Sequence, residues 1–272
     1  QWPYTTLGYP ETADAQTFYP TDLMVMGRDL LFFWATRMIL FGFYKTGQAP
    51  FKHLYFTGLV RDKDGLKMSK SKGNGVDVLE MIDRFGADAV RMSLTLGATP
   101  GLDFRLYEEK IETFRNFTNK LWNMGRYVAT QSTAADTTPT AQSDADHWIL
   151  SRTQAVATEV TRLLENYQLS LAGEKLRDFT WGEFADWYVE IHKVEKNDAI
   201  LRSIFDTLLR LWHPFMPFVT EAIYQTLSPK SEHALAAAAW PKAIAIDTVQ
   251  ASADRFVLLI GLIQSVRALR AT

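Results

Sequence analysis

The sequence predicts an α/β region built on part of a parallel sheet, followed by an all-α helical bundle. Residues 1–105 alternate short apolar runs with glycine turns, a pattern typical of strands and helices in succession. Residues 106–272 instead carry long stretches in which apolar side chains recur every three or four positions. The first region holds only two convincing strands, so we expect part of a doubly wound, Rossmann-type sheet.

The elements of the first region follow one another in strand–helix–strand order. The predicted strands are 22–27 and 53–60, and the predicted helices are 29–46, 77–84 and 87–96. The first of these helices should start at Asp29, end before Gly47, and be amphipathic and buried. Because a helix joins the two strands, we expect them to pair in parallel.

The second region is predicted to be helical apart from two irregular connections, 129–146 and 228–250. The predicted helices are 107–130, 146–167, 170–195, 198–212, 217–227 and 251–270. Two prolines in HPFMPF (213–218) separate two of them, since one proline ends a helix and the other can begin the next. Core positions are expected for the aromatic residues Trp181, Phe184, Trp187, Tyr188, Trp212 and Phe218.

Composition excludes several classes of function. The chain has 272 residues and no cysteine, which excludes disulfides and cysteine-based zinc sites. Its five histidines lie far apart in sequence, so we predict no protein-bound metal. No signal peptide and no apolar run of about 18 residues is found, so we expect a cytoplasmic protein without membrane contact. We also expect a monomer. A net charge of -2 means that any polyanion must be bound by local patches.

A lysine-rich segment, GLKMSKSKGN (65–74), follows the second predicted strand after a short turn. Gly65 and Gly73 allow tight backbone turns at its two ends. Lys67 and Lys70 are flexible cations that suit phosphate oxygens, whose charge they can stabilise during nucleotidyl transfer. Ligands of parallel sheets lie at the carboxyl ends of strands, where this segment is expected. The alternative is a solvated basic loop or a localisation signal.

The segment LKMSKSKGN resembles the second ATP-binding motif of class I aminoacyl-tRNA synthetases, the KMSKS loop. Four segments resemble the valyl-tRNA synthetases more than the isoleucyl or leucyl enzymes: WPYTTLGYP (2–10), FYPTDLMVMGRDLLFFWATRMIL (18–40), FKHLYFTGLVRDKDGLKMSKSKGN (51–74) and RNFTNKLWNMGRYV (115–128). The resemblance covers essentially the whole chain. It implies that 1–105 is the C-terminal half of a Rossmann catalytic domain and that 106–272 is an anticodon-binding bundle.

The resemblance also implies an activity, that of a valine–tRNA ligase. Such an enzyme uses ATP, with Mg²⁺, to form valyl-adenylate and then transfers the valyl group to tRNA(Val). Lys67 and Lys70 are implied to hold the ATP phosphates. The residues implied to contact ATP or the adenylate are Gly27, Asp29, Gly58, Val60, Met68, Ser69 and Ser71. Leu30 and Trp34 are implied to line the amino-acid pocket, the alternative being plain core positions.

One motif of the class has no counterpart in this chain. Class I enzymes carry an H-x-G-H type motif whose histidines meet the ATP phosphates, and none of the five histidines here lies in that context. We therefore expect an internal or C-terminal fragment that forms no adenylate by itself.

The helix predicted at 107–130 has an apolar and a polar face. The apolar face carries Ile111, Phe114, Phe117, Thr118, Leu121, Trp122 and Val128. The opposite face carries Asn116, Lys120, Asn123 and Tyr127, with Arg126 beside them. An aromatic ring among amides and cations suits an unpaired RNA base. The resemblance places this helix at the start of the anticodon-binding bundle, so these five residues are the predicted tRNA contacts. The alternative is a solvated face whose tyrosine packs on a neighbouring helix.

Three rival hypotheses stay open at this point. The chain could be a non-catalytic tRNA-binding module, or a fragment of an isoleucyl- or leucyl-type synthetase. It could also be a helical scaffold with an accidental lysine loop. The order of the four matching segments disfavours the last of these.

Overall fold

The computed structural model describes residues 2–131, 139–229, 233–242 and 249–271. They form two compact units: unit 1 is Gln1–Gly75 with Ala98–Leu106, and unit 2 is Val76–Gly97 with Tyr107–Thr272. The fold is α/β plus all-α, as predicted. The domain boundary at residues 105 and 106 stays a prediction, and in these compact units Val76–Gly97 belong with the helices.

Unit 1 is built around short parallel strands. Its elements are α1 (Trp2–Leu7), α2 (Ala13–Phe18), β1 (Thr21–Gly27), α3 (Thr36–Thr46), β2 (Phe51–Thr57), β3 (Val60–Arg61) and β4 (Phe104–Arg105). β1 and β2 pair in parallel, as expected, and β3 pairs in parallel with β4. The single strand predicted at 53–60 is therefore wrong in one respect: it is two strands, interrupted at Gly58 and Leu59.

The helical segment between β1 and β2 changes its winding along its length. It begins with a 3₁₀ turn (Arg28–Leu30), continues as a π-helical turn (Leu31–Ala35) and then becomes α3. Gly47 ends α3 in the left-handed conformation, with φ of 74°. The extent agrees with the predicted helix 29–46, but its predicted burial is wrong.

Most apolar side chains of this segment are exposed. Phe32 and Phe33 are 80% and 68% exposed, and the other exposed members are Trp34, Leu40, Phe41, Phe43 and Tyr44. Buried positions in the segment are Ala35 and Gly42. The physical reason is size, because a sheet of two strands presents too little apolar surface to cover so broad a helix face.

Unit 2 consists of packed helices. They are α4 (Val78–Phe85), α5 (Ala87–Thr95), α6 (Glu108–Gln131), α7 (Asp144–Glu165), α8 (Leu169–Asp178), a π-helical segment (Phe179–Tyr188), α9 (Val189–Glu195), α10 (Asp198–Trp212), α11 (Pro217–Leu227) and α12 (Gln250–Ala271). Each predicted helix of this region has its counterpart here, with ends within a few residues. None of the helices in the described ranges is long and apolar enough to cross a membrane.

The core of unit 2 lies around α10. The buried Trp212 ring lies 5.0 Å from that of Phe117, and its Nε1 donates to Thr180 Oγ1 at 3.0 Å. Of the aromatic residues expected in the core, Phe184 and Tyr188 are also buried and Trp187 is half-buried.

Three aromatic expectations are wrong. Trp181, Phe218 and Trp122 are exposed. Trp181 stacks on Phe117 at the edge of the bundle, and Phe218 lies in the first turn of α11, where a helix end leaves a side chain uncovered. The predicted connections 129–146 and 228–250 fall partly on 132–138, 230–232 and 243–248, which lie outside the described residues.

Candidate functional site

The carboxyl ends of β1 and β2 bring predicted site residues together. Gly27 pairs with Thr57 at this edge, and Gly58 follows directly. A Cβ on Gly27 would lie 2.6 Å from the Asp29 carboxylate, so glycine leaves room for that side chain. Asp29 is exposed. Ligands of parallel sheets are bound at such an edge because strand ends and their loops form a crevice there.

A charged centre that the sequence analysis missed fixes the next strands. Asp103 accepts from the Leu59 amide at 3.0 Å and from Arg61 Nε at 2.6 Å, and it lies 3.2 Å from Arg28 Nη2. The Leu59 amide and then Arg61 hold the pKa of the Asp103 carboxyl below its usual range. These residues are distant in sequence, and no local motif links them. Val60 lies between Leu59 and Arg61 in the chain and is half-buried in β3.

A tight turn after β3 leads into the lysine loop, which is the segment Gly65–Asn74. The Asp62 amide donates to the Leu66 carbonyl at 3.0 Å, and Arg61 Nη1 donates to the Gly65 carbonyl at 3.1 Å. Gly65 and Gly73 have φ of 84° and 64°, which confirms that both turns use the left-handed conformation that glycine permits.

The loop residues carry the predicted phosphate-binding groups. The Lys67 side chain is exposed, and Met68 is half-buried. Lys70 begins a 3₁₀ turn that ends at Lys72, but its side chain lies outside the described residues. The hydroxyls of Ser69 and Ser71 lie 3.4 Å apart. With several lysines within a few residues, this loop can hold a polyanion.

Asp62 is the carboxylate next to these lysines, and the sequence analysis did not single it out. The Asn74 amide, which donates to it, lowers the pKa of the Asp62 carboxyl, and the backbone amides of Leu66, Asp64 and Gly65 act in the same direction. These hydrogen bonds therefore stabilise the charged form of the Asp62 carboxyl.

Leu30 and Trp34 lie close to the same edge in sequence, on the 3₁₀ and π-helical turns. Their exposed fractions are 42% and 58%, so the alternative of plain core positions is wrong for both. Their role in an amino-acid pocket stays a prediction. π-Helical turns occur frequently at functional sites, which is consistent with that role.

On α6, Tyr127 is engaged with a neighbouring helix. Its hydroxyl lies 3.0 Å from His192 Nδ1, and His192 Nε2 lies 2.9 Å from Asp198 Oδ1. The two rings meet edge to face at 5.8 Å. Burial raises the pKa of Tyr127 and lowers the pKa of His192. One predicted alternative, a tyrosine packed on a neighbouring helix, therefore describes the observed contact.

The other predicted tRNA contacts divide into two groups. Asn116, Asn123 and Arg126 are exposed. Lys120 is partly buried, with its Nζ 3.4 Å from the Trp181 ring centroid and 3.1 Å from Asp186 Oδ1. Contact of these residues with RNA stays a prediction.

The comparisons with known proteins follow the two-part organisation. The family model of class I tRNA synthetases (I, L, M and V) matches residues 1–107. The model of the anticodon-binding domain of tRNA ligase matches residues 146–272.

Curated relatives include valine–tRNA ligases from three bacteria. The Clostridium acetobutylicum protein is 44% identical over 98% of this chain and 32% of its own length. The proteins from Mycolicibacterium paratuberculosis and Geobacillus stearothermophilus are 41% and 40% identical over 99% of this chain, and 33% and 32% of their own lengths. The chain thus spans about a third of the length of these relatives.

Solved structures of synthetases share the fold. One is the leucyl enzyme of Agrobacterium radiobacter K84 in a ternary complex with tRNA and LeuAMS. Its TM-score is 0.73 at 22% identity, and the match covers 89% of this chain and 32% of the leucyl enzyme. Another is the Mycobacterium tuberculosis methionyl-tRNA synthetase with methionyl-adenylate, with a TM-score of 0.68, 22% identity, and coverage of 90% and 53%. The chain therefore belongs to the class I aminoacyl-tRNA synthetases, among which its sequence relatives are the valine–tRNA ligases.

Proposed function

We propose that this chain supplies the KMSKS loop and the anticodon-binding bundle of a valine–tRNA ligase. In the proposed reaction, a carboxylate oxygen of valine attacks the α-phosphorus of ATP, and the bond to pyrophosphate breaks. A hydroxyl of the terminal ribose of tRNA(Val) then attacks the valyl carbonyl, and AMP leaves. The observation that carries the proposal is the lysine loop, which follows β2 and β3 in a chain that is 40–44% identical to valine–tRNA ligases.

In this proposal the loop works by charge. Lys67 and Lys70 neutralise the phosphate oxygens as pyrophosphate departs, with Lys70 contributing most to the transition state, and Mg²⁺ accompanies the nucleotide. The exposed position of Lys67 supports this role, because its ammonium is accessible to a ligand. Met68, Ser69 and Ser71 line the same nucleotide through backbone and hydroxyl groups.

The edge of the sheet completes the proposed nucleotide site. Gly27 and Gly58 allow the backbone to approach the adenylate closely, and Asp29 accepts hydrogen bonds from ribose hydroxyls. Val60 forms part of the adenine-side wall. Leu30 and Trp34, exposed near this edge, contact the valine side chain.

The bundle reads the tRNA in this proposal. The exposed residues Asn116, Asn123 and Arg126 offer amides and a guanidinium to RNA, and Lys120 and Tyr127 lie on the same helix. The relatives favour valine over isoleucine and leucine, since the proteins 40–44% identical to this chain are valine–tRNA ligases. We further propose that the protein is cytoplasmic and monomeric. We also propose that this chain forms no adenylate by itself, because no histidine lies in an H-x-G-H context.

Binding to a tRNA(Val) transcript at one near-physiological salt concentration tests the bundle. Tyr127→Ala and a changed anticodon should each weaken binding by more than about 1 kcal/mol, and not additively. Phe218→Ala is the matched control, an exposed aromatic residue of the same unit outside the proposed contacts. Equal binding of both transcripts would refute anticodon recognition and favour a bundle with a purely structural role.

ATP binding by the same chain tests the lysine loop. Lys67→Ala should weaken binding of ATP·Mg²⁺, whereas Lys45→Ala should not. Lys45 lies in the last turn of α3, away from the loop in sequence. If the two variants bind ATP equally, the loop is an ordinary basic loop, and the chain would instead be a non-catalytic tRNA-binding module.

A further inference from the structure

Asn74 closes the lysine loop through three hydrogen bonds of one side chain. Its Nδ2 donates to Asp62 Oδ2 at 2.7 Å and to the Lys67 carbonyl at 3.3 Å. Its Oδ1 accepts from the Ser69 amide at 3.0 Å. A carboxamide both donates and accepts, and these bonds use both abilities at once.

Asp62 holds the other end of the loop. Its Oδ1 accepts from the Leu66 amide at 2.7 Å and from the Asp64 amide at 3.1 Å, while Oδ2 receives the bond from Asn74. The two carboxylate oxygens thus join the first turn of the loop to its last residue. The neighbouring Arg61 ties this point to Asp103 and hence to β3 and β4.

We propose that Asp62 and Asn74 form a latch that presets the lysine loop for the triphosphate of a nucleotide. Both are positioning residues, since they act on Lys67 and Ser69 through the backbone. This inference rests on the proposed function of the loop as a phosphate-binding element.

The latch reduces the conformational entropy that the loop would lose on binding a ligand. Lys67 to Lys72 includes one short 3₁₀ turn, and two glycines with positive φ, Gly65 and Gly73, lie near the two ends of the loop. A chain of this kind loses conformational freedom when it closes on a ligand, which weakens binding. Bonds that fix the backbone beforehand remove part of that loss and aim the lysines at one place.

Amide hydrogen exchange without nucleotide tests the latch itself. Asn74→Asp places a second carboxylate against Asp62, and exchange at the Ser69 amide should become at least about tenfold faster. The swapped double variant, Asp62→Asn with Asn74→Asp, restores a donor opposite an acceptor and should return the rate most of the way. Asp64→Asn makes the reverse exchange, carboxylate to carboxamide, in the same turn, on an exposed side chain that takes no part in the latch. It should leave the Ser69 rate unchanged.

Binding of tripolyphosphate and of ATP·Mg²⁺ tests the positioning role. Each dissociation constant should rise about tenfold in Asn74→Asp and recover in the swapped variant, while Asp64→Asn stays near the wild type. If Asn74→Asp speeds exchange but binds both probes as tightly as the wild type, the positioning role is overturned while the proposed function stands.

Two further outcomes separate the latch from the proposed function. If the wild-type chain binds neither probe, the proposed function of the loop fails, and the positioning role fails with it. If the swapped variant exchanges as fast as Asn74→Asp, or Asp64→Asn matches it, the latch is refuted whatever the binding result.

Discussion

Replacing Gly58 by alanine should destabilise unit 1 strongly. Gly58 separates β2 from β3 and passes against the backbone of the segment that leads into β4. A Cβ built on it would lie 1.8 Å from the Leu102 carbonyl oxygen and 2.6 Å from the Asp103 amide nitrogen, whereas real Cβ contacts stay above 3.0 Å. The obstacle is backbone, so the two segments must separate by at least 1.2 Å, the difference between 3.0 and 1.8 Å.

The cost follows from the bonds that cross this contact. The Gly101 amide donates to the Phe56 carbonyl at 2.8 Å, and the Phe104 amide donates to the Leu59 carbonyl at 3.2 Å. Lengthening both by more than 1 Å breaks them, at roughly 1 kcal/mol each. Strain from the inserted methyl group adds about 1–3 kcal/mol. We therefore expect a loss of about 3–5 kcal/mol.

Native-state amide exchange at Phe104 and Leu106 measures this loss within unit 1. Gly75→Ala is the matched control, because a Cβ there meets nothing within 4 Å and its φ lies outside the positive range. The control should be neutral or stabilising by a few tenths of a kcal/mol. The free energies of exchange at these two amides are then compared between Gly58→Ala and Gly75→Ala. If they agree to within about 0.5 kcal/mol, the close approach at Gly58 carries no such cost.

Three further predictions concern unit 2. Asp88 is buried and accepts hydrogen bonds from the Phe218 and Val219 amides in the first turn of α11. Asp88→Ala should therefore lower the free energy of unfolding, measured in urea, by about 1–2 kcal/mol, and Asp88→Asn should lower it less. Burial lowers the pKa of His192 below 6.5, so that near and below this pH the native state binds fewer protons than the unfolded state. The melting temperature should therefore fall as the pH drops below 6.5. His192→Gln should flatten that slope, and an unchanged slope would refute the assignment. A Cβ on Gly125 would lie 2.7 Å from Ile223 Cγ2, so Gly125→Ala should lose about 1 kcal/mol even after its gain in helix propensity. Adding Ile223→Ala should cost less than the sum of the two changes, and full additivity would contradict the clash.

Local pattern was enough for the helices of unit 2 and for α3, whereas the short helices α1 and α2 were not predicted. The periodicity of α6 and α10 gave their extents, and the glycine that ends α3 was visible as Gly47. The lysine loop was equally visible, because its motif is continuous in sequence. Helix and turn signals depend on residues a few positions apart, which a single sequence displays directly.

Contacts between distant residues were not predictable in this way. Gly58, at the break in the strand, passes against the Leu102 carbonyl, and the Asp103 carboxylate pairs with both Arg28 and Arg61. The exposure of Trp181 depends on how its helix meets α6. None of these partners shares a local pattern, so periodicity and motifs carry no information about them.

The π-helical segment Phe179–Tyr188 sets the rotational phase of α9. Its last turn is closed by the Val189 amide, which bonds to the Phe184 carbonyl five residues back. A π-helical turn holds one residue more than an α-helical turn, so removing one residue from this segment would let a continuous α-helix form and would leave His192 directed at Tyr127. Removing a residue from α9 before His192 would instead turn that side chain by about 100° about the helix axis and away from Tyr127. The segment can therefore absorb a change of length that the α-helix after it cannot.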